Sequence, residues 1–87
     1  HPGLYRKGLF ITSEEIHWVR PDLSLKIGSA QTYLSRIRYR QKLAIATLQQ
    51  TEEGIYMIFE SKQRGIAPGQ FAAWYIEDEL IGSGVIN

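Results

Sequence analysis

The segment LAIATLQQTEEGIYMIF, residues 43–59, decides the fold class. Its two apolar runs, residues 43–48 and 54–59, contain β-branched and aromatic residues and flank a polar stretch at 49–53. Apolar runs of this length on either side of a polar loop are typical of a β-hairpin. The segment therefore predicts two antiparallel neighbouring strands joined by a medium-length loop.

Similar pairs of apolar runs lie at the two ends of the chain. Residues 9–11 and 16–19 are separated by a polar turn at 12–15 and predict a first hairpin. Residues 71–76 and 80–86 flank the acidic tip Glu77-Asp78-Glu79 and predict a final hairpin. Each of the three hairpins would pair consecutive strands.

The stretch between the first two hairpins predicts a loop followed by a long strand. Pro21 has no backbone N–H to donate to a neighbouring strand, so residues 20–29 are expected to form a loop. Residues 31–40 alternate apolar and polar positions, which favours a strand, but Leu34 shares its parity with the arginines. This exception predicts a bulge or bend near Leu34 and Ser35.

These segments together predict an all-β fold. No window sustains the helical spacing of apolar residues without a Gly or Pro inside it. Six to seven short strands in 87 residues indicate a small antiparallel β-barrel, closed or nearly closed, formed by residues 1–87 as one domain.

The composition narrows the possible functions. The chain has no cysteine, and His1 and His17 stand far apart, so no metal or thiol chemistry is predicted. No apolar run approaches the ~20 residues of a membrane span, and a cytoplasmic protein without a membrane partner is expected. The chain opens on His1-Pro2-Gly3 and has its single methionine at Met57, which predicts a fragment of a longer protein.

A cationic stretch is the strongest candidate for function. Arg36-Ile37-Arg38-Tyr39-Arg40-Gln41-Lys42 spaces four cations two apart in a chain with a formal net charge of +1. On a regular strand this spacing places all four on one side, where they could bind a polyanion, RNA above all. The alternative is a solvated face or a charged sheet edge that prevents aggregation.

Other motifs favour structural roles. Ala67-Pro68-Gly69-Gln70 has the residues of a type II turn, from which the Gln70 amide would emerge at a strand start. The glycines of Gly82-Ser83-Gly84 predict a bulge or a close approach of backbones. Trp18 and Trp74 are expected in the core, and the acidic tips predict solvated turns. No nucleophile, base and orienting group come together, so the chain is not predicted to be an enzyme by itself.

Five motifs resemble one known family in order and spacing. They are HPGLY at 1–5, HWV at 17–19, RYRQ at 38–41, APGQ at 67–70 and GSGVI at 82–86. Together they span nearly the whole chain, and they resemble the C-terminal domain of the tRNA-specific 2-thiouridylases. The resemblance implies a β-barrel that grips the anticodon arm of tRNA and carries no cofactor. It places ATP, a phosphate loop and two cysteines in the catalytic N-terminal domain of the same protein, with a sulfur-relay protein as a further possible partner.

The resemblance also implies which residues contact tRNA. They are Arg38, Tyr39 and Gln70, with Arg40 and Gln41 as second choices. The sequence departs from the family pattern at Phe71, where a small residue is usual, and at Ser83, where glycine is usual. The competing interpretation is a structural or protein-interaction barrel that docks on its parent enzyme or on a sulfur-relay partner.

Overall fold

The computed structural model describes residues 5–38 and 41–87, and this part of the chain is built from β-strands. Two 3₁₀ helices, Ser13–Glu15 and Pro21–Leu23, are its helical segments, and neither is long and apolar enough to cross a membrane. Within the described ranges there are seven strands: β1 Tyr5–Thr12, β2 Ile16–Trp18, β3 Ala30–Arg36, β4 Ala44–Gln50, β5 Gly54–Arg64, β6 Phe71–Ile76 and β7 Glu79–Val85.

The strands form one antiparallel sheet that curls into a nearly closed barrel. Their order is β1-β5-β4-β3-β6-β7-β2. The open edge is bridged where the amide of Asn87 donates to the carbonyl of Phe10 at 2.9 Å. The predicted fold class, an all-β antiparallel barrel, is confirmed.

Two of the three predicted hairpins are present. β4 pairs with β5, with Leu48 opposite Met57, and β6 pairs with β7, with Trp74 opposite Gly82. In β4, in β6 and along residues 55–59 of β5, buried positions alternate with exposed or half-buried ones, as expected for a sheet with one buried face.

The predicted first hairpin is wrong. β1 pairs with β5 and β2 pairs with β7, so these two consecutive strands lie at opposite ends of the strand order. The four polar residues between the runs do not turn the chain back on itself. Residues 13–15 form a 3₁₀ helix whose first amide, that of Ser13, donates to the carbonyl of Glu53 at 3.0 Å. After this contact the chain continues into β2, which pairs with β7 and not with β1.

The predicted strand at 31–40 is shorter than expected and lacks the predicted bulge. β3 ends at Arg36, and Leu34 and Ser35 pair in continuous register with Ile45 and Ala44. Leu34 keeps the parity of Arg36 because both lie on the outer face, where Leu34 is half-buried beside Tyr75. The register shifts occur elsewhere, between Arg6 and Gly8 in β1 and between Trp74 and Tyr75 in β6.

The barrel interior is organised around Trp74, which is fully buried. Trp18 is half-buried against it, with the two rings edge-to-face and their centroids 5.4 Å apart. A Cβ on Gly82 would lie 2.6 Å from the Trp74 ring. The indole therefore occupies the space that a side chain at residue 82 would need. The core positions predicted for the tryptophans and the close approach predicted for the 82–84 glycines are confirmed.

A charged clamp fastens the loop after β2 to the start of β7. The Arg20 guanidinium donates to both carboxylate oxygens of Asp22, at 3.0 and 2.7 Å, and to Glu79 at 2.6 Å. The hydrogen bond from Arg20 holds the pKa of the Asp22 carboxyl below its ordinary value. These groups are exposed, so solvent screens the clamp and its contribution to stability is small.

We expect Gly82→Ala to destabilise the barrel by about 1–3 kcal/mol, because the added methyl must displace the buried Trp74 ring. Urea unfolding measures the change. Gly8→Ala in β1 is the matched control, since a Cβ there would lie 3.7 Å from the nearest atom, an ordinary contact. Equal losses of unfolding free energy in Gly82→Ala and Gly8→Ala would show that Gly82 is not needed to make room for Trp74.

We expect the Arg20 clamp to make stability depend on pH in the acid range. A carboxyl whose pKa is lowered by folding stabilises the protein above its unfolded pKa, and the effect is lost as pH falls through the folded value. Asp22→Asn should therefore lose less stability than the wild type as pH drops below about 3.9. Urea midpoints across this range, with Asp78→Asn as the control, test the expectation, and identical profiles for the wild type and Asp22→Asn would refute it.

Candidate nucleic-acid interface

The barrel topology brings two distant loops to one end of the molecule. β3 ends and β4 begins at this end, as do β5 and β6, because all four are antiparallel neighbours. The end of β3, the outer face of β6 and the loops next to them form a cavity of about 390 Å³. It is lined by Arg36, Ile37, Arg38, Gln70, Phe71, Ala73 and Tyr75. Arg38 and Gln70, two of the residues that the resemblance implies contact tRNA, therefore both line this cavity.

Arg38 is exposed and held over the loop that follows β5. Its guanidinium donates to the carbonyl of Gly65 at 3.3 Å. Gly65 has a φ of 71°, and a Cβ at this position would collide with the Nη2 of Arg38. Glycine is required here for two reasons: it adopts this backbone conformation without strain, and it leaves room for the Arg38 guanidinium.

Gln70 ends the turn that the sequence predicts. The amide of Gln70 donates to the carbonyl of Ala67 at 3.4 Å, and Gly69 has a φ of 89°, as the third residue of a type II turn requires. The Gln70 Oε1 accepts from the amide of Ala67 at 3.0 Å. This bond orients the side-chain amide, so the Nε2 group is the part of Gln70 available as a donor to a ligand.

Arg36 belongs to the same cavity, although the resemblance does not single it out. It lies opposite Ala73 of β6 and donates from Nη2 to the Tyr75 hydroxyl at 3.0 Å. Its Cζ also lies 5.2 Å from the centroid of the Tyr75 ring, within cation–π range. The half-buried guanidinium is thus held against an aromatic ring on the outer face of the barrel.

The regular strand ends at Arg36, and the chain bends at residues 37 and 38. The one-sided stripe predicted on a continuous strand from Arg36 to Lys42 is therefore interrupted at this bend. Gln41 is half-buried: its Oε1 accepts from the amide of Ile37 at 2.9 Å and its Nε2 donates to Gln63. Its side chain therefore holds the bend. Tyr39 and Arg40 lie outside the described residues, and Lys42 is exposed.

Sequence reasoning missed the part of the cavity contributed by β6. Phe71, Ala73 and Tyr75 lie two apart on one face of this strand, and all three line the cavity. The signal was present in the alternation of large, small and large residues on the outward positions. It was hidden because the whole run 71–76 is apolar, so the inward and outward faces could not be told apart.

Charge is segregated along the barrel. The end with the cavity carries Arg36, Arg38 and Lys42, together with Lys62 and Arg64 near the end of β5. The opposite end carries seven of the nine acidic residues, all exposed: Glu14, Glu15, Glu52, Glu53, Glu77, Asp78 and Glu79. No carboxylate lines the cavity within the described part of the chain. We call these the basic end and the acidic end; a polyanion is attracted to the first and repelled by the second.

The described residues contain no group of three His, Cys, Asp or Glu side chains that could hold a metal ion. The cavity offers guanidinium and amide donors and aromatic surface. These groups suit the recognition of phosphates and bases.

The fold and the site define a class: a small antiparallel barrel with a basic and aromatic surface at one end. The family model described as "Aminomethyltransferase beta-barrel domain" matches residues 9–86, and the chain belongs to this family.

The full length of the chain also aligns with curated relatives. It is 54% identical over 87 residues to the tRNA-specific 2-thiouridylase MnmA of Flavobacterium johnsoniae and 55% identical to that of Christiangramia forsetii. The protein of the same name from Pseudomonas putida is 36% identical over 87 residues. Each alignment covers 100% of this chain and 22% of the relative. The chain thus spans about a fifth of the length of these relatives, and the resemblance to tRNA-specific 2-thiouridylases is confirmed.

We expect Gly65→Ala to move the Arg38 guanidinium, because the added methyl occupies its place. The side-chain Nε–Hε resonance of Arg38 should shift, and affinity for a simple polyanion such as heparin should fall. Gly28→Ala is the matched control: Gly28 has a similar φ of 90°, and a methyl group there would have nothing within 4 Å. Both variants should lose about 1–2 kcal/mol of stability from the left-handed backbone. An unshifted Arg38 resonance in Gly65→Ala would contradict the position of the Arg38 guanidinium over Gly65.

Proposed function

We propose that this chain is the tRNA-binding barrel of an enzyme that replaces the 2-oxygen of the wobble uridine of tRNA with sulfur, and that it positions the anticodon arm. The observation that carries the proposal is the meeting of Arg38 and Gln70 in one cavity at the basic end. The names of the relatives supply the substrate class, since they are tRNA-specific 2-thiouridylases that match the chain over its full length.

The exposure of Arg38 supports an RNA ligand over a protein one. A cation that docks permanently on a protein surface needs a fixed acidic partner, whereas Arg38 is exposed and bonded to a neutral carbonyl. Its planar guanidinium suits a phosphate, with which it can form two parallel hydrogen bonds. Such contacts fix the position of an RNA without reading its sequence.

Gln70 complements these phosphate contacts. Its Nε2 group donates toward an acceptor, while its Oε1 is held by the turn. Base edges are accessible in the single-stranded loops of RNA and inaccessible in the deep major groove of its duplexes. The arrangement therefore favours the unpaired bases of an anticodon loop over a continuous helix. Tyr39 and Arg40 remain proposed contacts, and Gln41 supports the bend that presents Arg38.

The chemistry belongs to the remainder of the enzyme under this proposal. The parent protein would be an ATP-dependent sulfurtransferase of the cytoplasm. Its catalytic domain would bind ATP and receive sulfur from a relay protein. The barrel itself would need no cofactor, and its contribution would be to affinity and orientation.

A second candidate function is docking of the barrel on another protein surface. It is favoured by a second cavity, of about 320 Å³, on the outer face of β3, β4 and β6. Leu34, Ile45 and Ile76 line it, and Ile45 and Ile76 are exposed. A surface of this kind suits contact with the parent catalytic domain, and it leaves the basic end open.

We expect Arg38→Ala in the full-length enzyme to raise the KM for tRNA about tenfold, because a charge-assisted hydrogen bond to phosphate is lost. The kcat should stay near the wild-type value, since no reacting group is removed. Lys26→Ala is the matched control, because Lys26 is an exposed cation in the loop that contacts Gln50 at the acidic end.

The salt dependence of tRNA binding gives an independent measurement. Arg38→Ala should reduce the slope of log affinity against log salt by about 1, whereas Lys26→Ala should leave it unchanged. Wild-type KM and slope in Arg38→Ala would show that this cation does not touch tRNA, and the docking function would then be preferred.

A further inference from the structure

The outer face of β6 forms a slot between two aromatic side chains. Phe71, Ala73 and Tyr75 point outward at every second position. Ala73 lies between the two rings, and its single methyl leaves a depression that opens into the 390 Å³ cavity. This volume falls in the range of small-ligand sites, about 300–1,000 Å³. We call this depression the aromatic slot, bounded by Phe71, Ala73 and Tyr75.

The two walls of the aromatic slot differ in their surroundings. Tyr75 is half-buried and carries the Arg36 guanidinium against its ring and hydroxyl. Phe71 is 66% exposed, and the ring contacts found among the described residues do not include it. A phenyl ring this exposed contributes little to the core. Its placement at the strand start, next to Gln70, is what requires an explanation.

The charge around the slot indicates the kind of ligand. Arg36 and Arg38 line the same cavity, and no carboxylate does so within residues 5–38 and 41–87. An aromatic face beside guanidinium groups is the combination that binds single-stranded nucleic acid, since bases stack on the ring while cations hold the backbone. An apolar protein segment would use the ring but not the two arginines.

The neighbouring Gln70 further restricts the ligand. Because Oε1 is engaged by the amide of Ala67, the group that Gln70 can present to a ligand is its Nε2 donor. A base stacked on Phe71 would place its edge near this donor. A carbonyl acceptor on that edge is complementary to it, and an amino group is not.

We propose that Phe71 is a stacking platform for one unpaired nucleobase of the bound RNA, and that the aromatic slot prefers a base with a carbonyl edge. This inference rests on the proposed function and deepens it by naming the part of the RNA that enters the cavity. The arginines hold the backbone on either side. The slot itself distinguishes a looped-out base from a paired one, because a base within a duplex cannot present its face to the ring.

The test compares an anticodon stem-loop RNA with a blunt duplex of the same stem sequence, both titrated against the full-length enzyme. Phe71→Leu keeps the apolar character but removes the π face, and it should weaken binding of the stem-loop about 5- to 100-fold. Binding of the duplex should not change, and Phe71→Tyr should bind the stem-loop like the wild type. Leu at this exposed site leaves the core intact, which circular dichroism verifies.

A second variant tests the slot without altering the platform. Ala73→Leu fills the depression while Phe71 and both arginines remain, so it should weaken stem-loop binding to a similar degree. Stem-loop affinity within about twofold of the wild type in either Phe71→Leu or Ala73→Leu would overturn the proposal, because stacking is worth more than this. Equal weakening of the stem-loop and the duplex would also overturn it, since stacking on an unpaired base cannot affect a duplex.

Arg38→Ala, measured in the same titrations, separates this inference from the proposed function. If Arg38→Ala weakens both RNAs while Phe71→Leu weakens neither, RNA binding stands and the stacking platform is wrong. If neither substitution changes RNA affinity and Phe71→Leu instead lowers the unfolding temperature of the full-length enzyme, both proposals fail. Phe71 would then be a contact between domains.

Discussion

The close approach of β6 and β7 is the constraint on which the rest of the barrel depends. Trp74 can fill the interior because Gly82, directly opposite on β7, has no side chain. Two residues further along, a Cβ on Gly84 would lie 2.6 Å from the Cγ2 of Ile11 in β1. Gly82 therefore makes room for the largest core residue, and Gly84 lets β7 approach the edge strand β1. The two glycines together allow the sheet to curl around one interior.

The pairing of β3 with β6 in turn creates the candidate surface. Arg38 follows β3 and Gln70 precedes β6, and neither loop could reach the other if these strands were not neighbours. The loops are also fixed from within the barrel: Gln41 and Gln63 hold the bend under Arg38, and the Gln70 amide braces its own turn. Binding groups held in this way lose little conformational freedom when a ligand arrives, which favours affinity.

The sequence predicted those parts of the fold that depend on local pattern. The hairpins of β4 with β5 and β6 with β7 followed from apolar runs around polar loops. The turn before Gln70 followed from proline and glycine chemistry. The first hairpin failed because the choice between pairing β2 with β1 or with β7 is made by long-range contacts, such as Ser13 with Glu53, that leave no local signal. The bulge at Leu34 failed because an apolar residue on an outer face was taken as a break in alternation.

The candidate site was also predicted only where it depends on local sequence pattern. Charge spacing on one strand suggested four equal members of a stripe, Arg36, Arg38, Arg40 and Lys42, but the bend after β3 ends the equivalence of Arg36 and Arg38. The two arginines line one cavity but are held by different hydrogen bonds: Arg36 donates to the Tyr75 hydroxyl and Arg38 donates to the carbonyl of Gly65. A stripe of equivalent cations attracts any polyanion, whereas here two guanidinium groups with different partners line one cavity beside the aromatic residues of β6. The proposed recognition of an RNA loop depends on this combination, and the contribution of β6 to it is inconspicuous in the sequence.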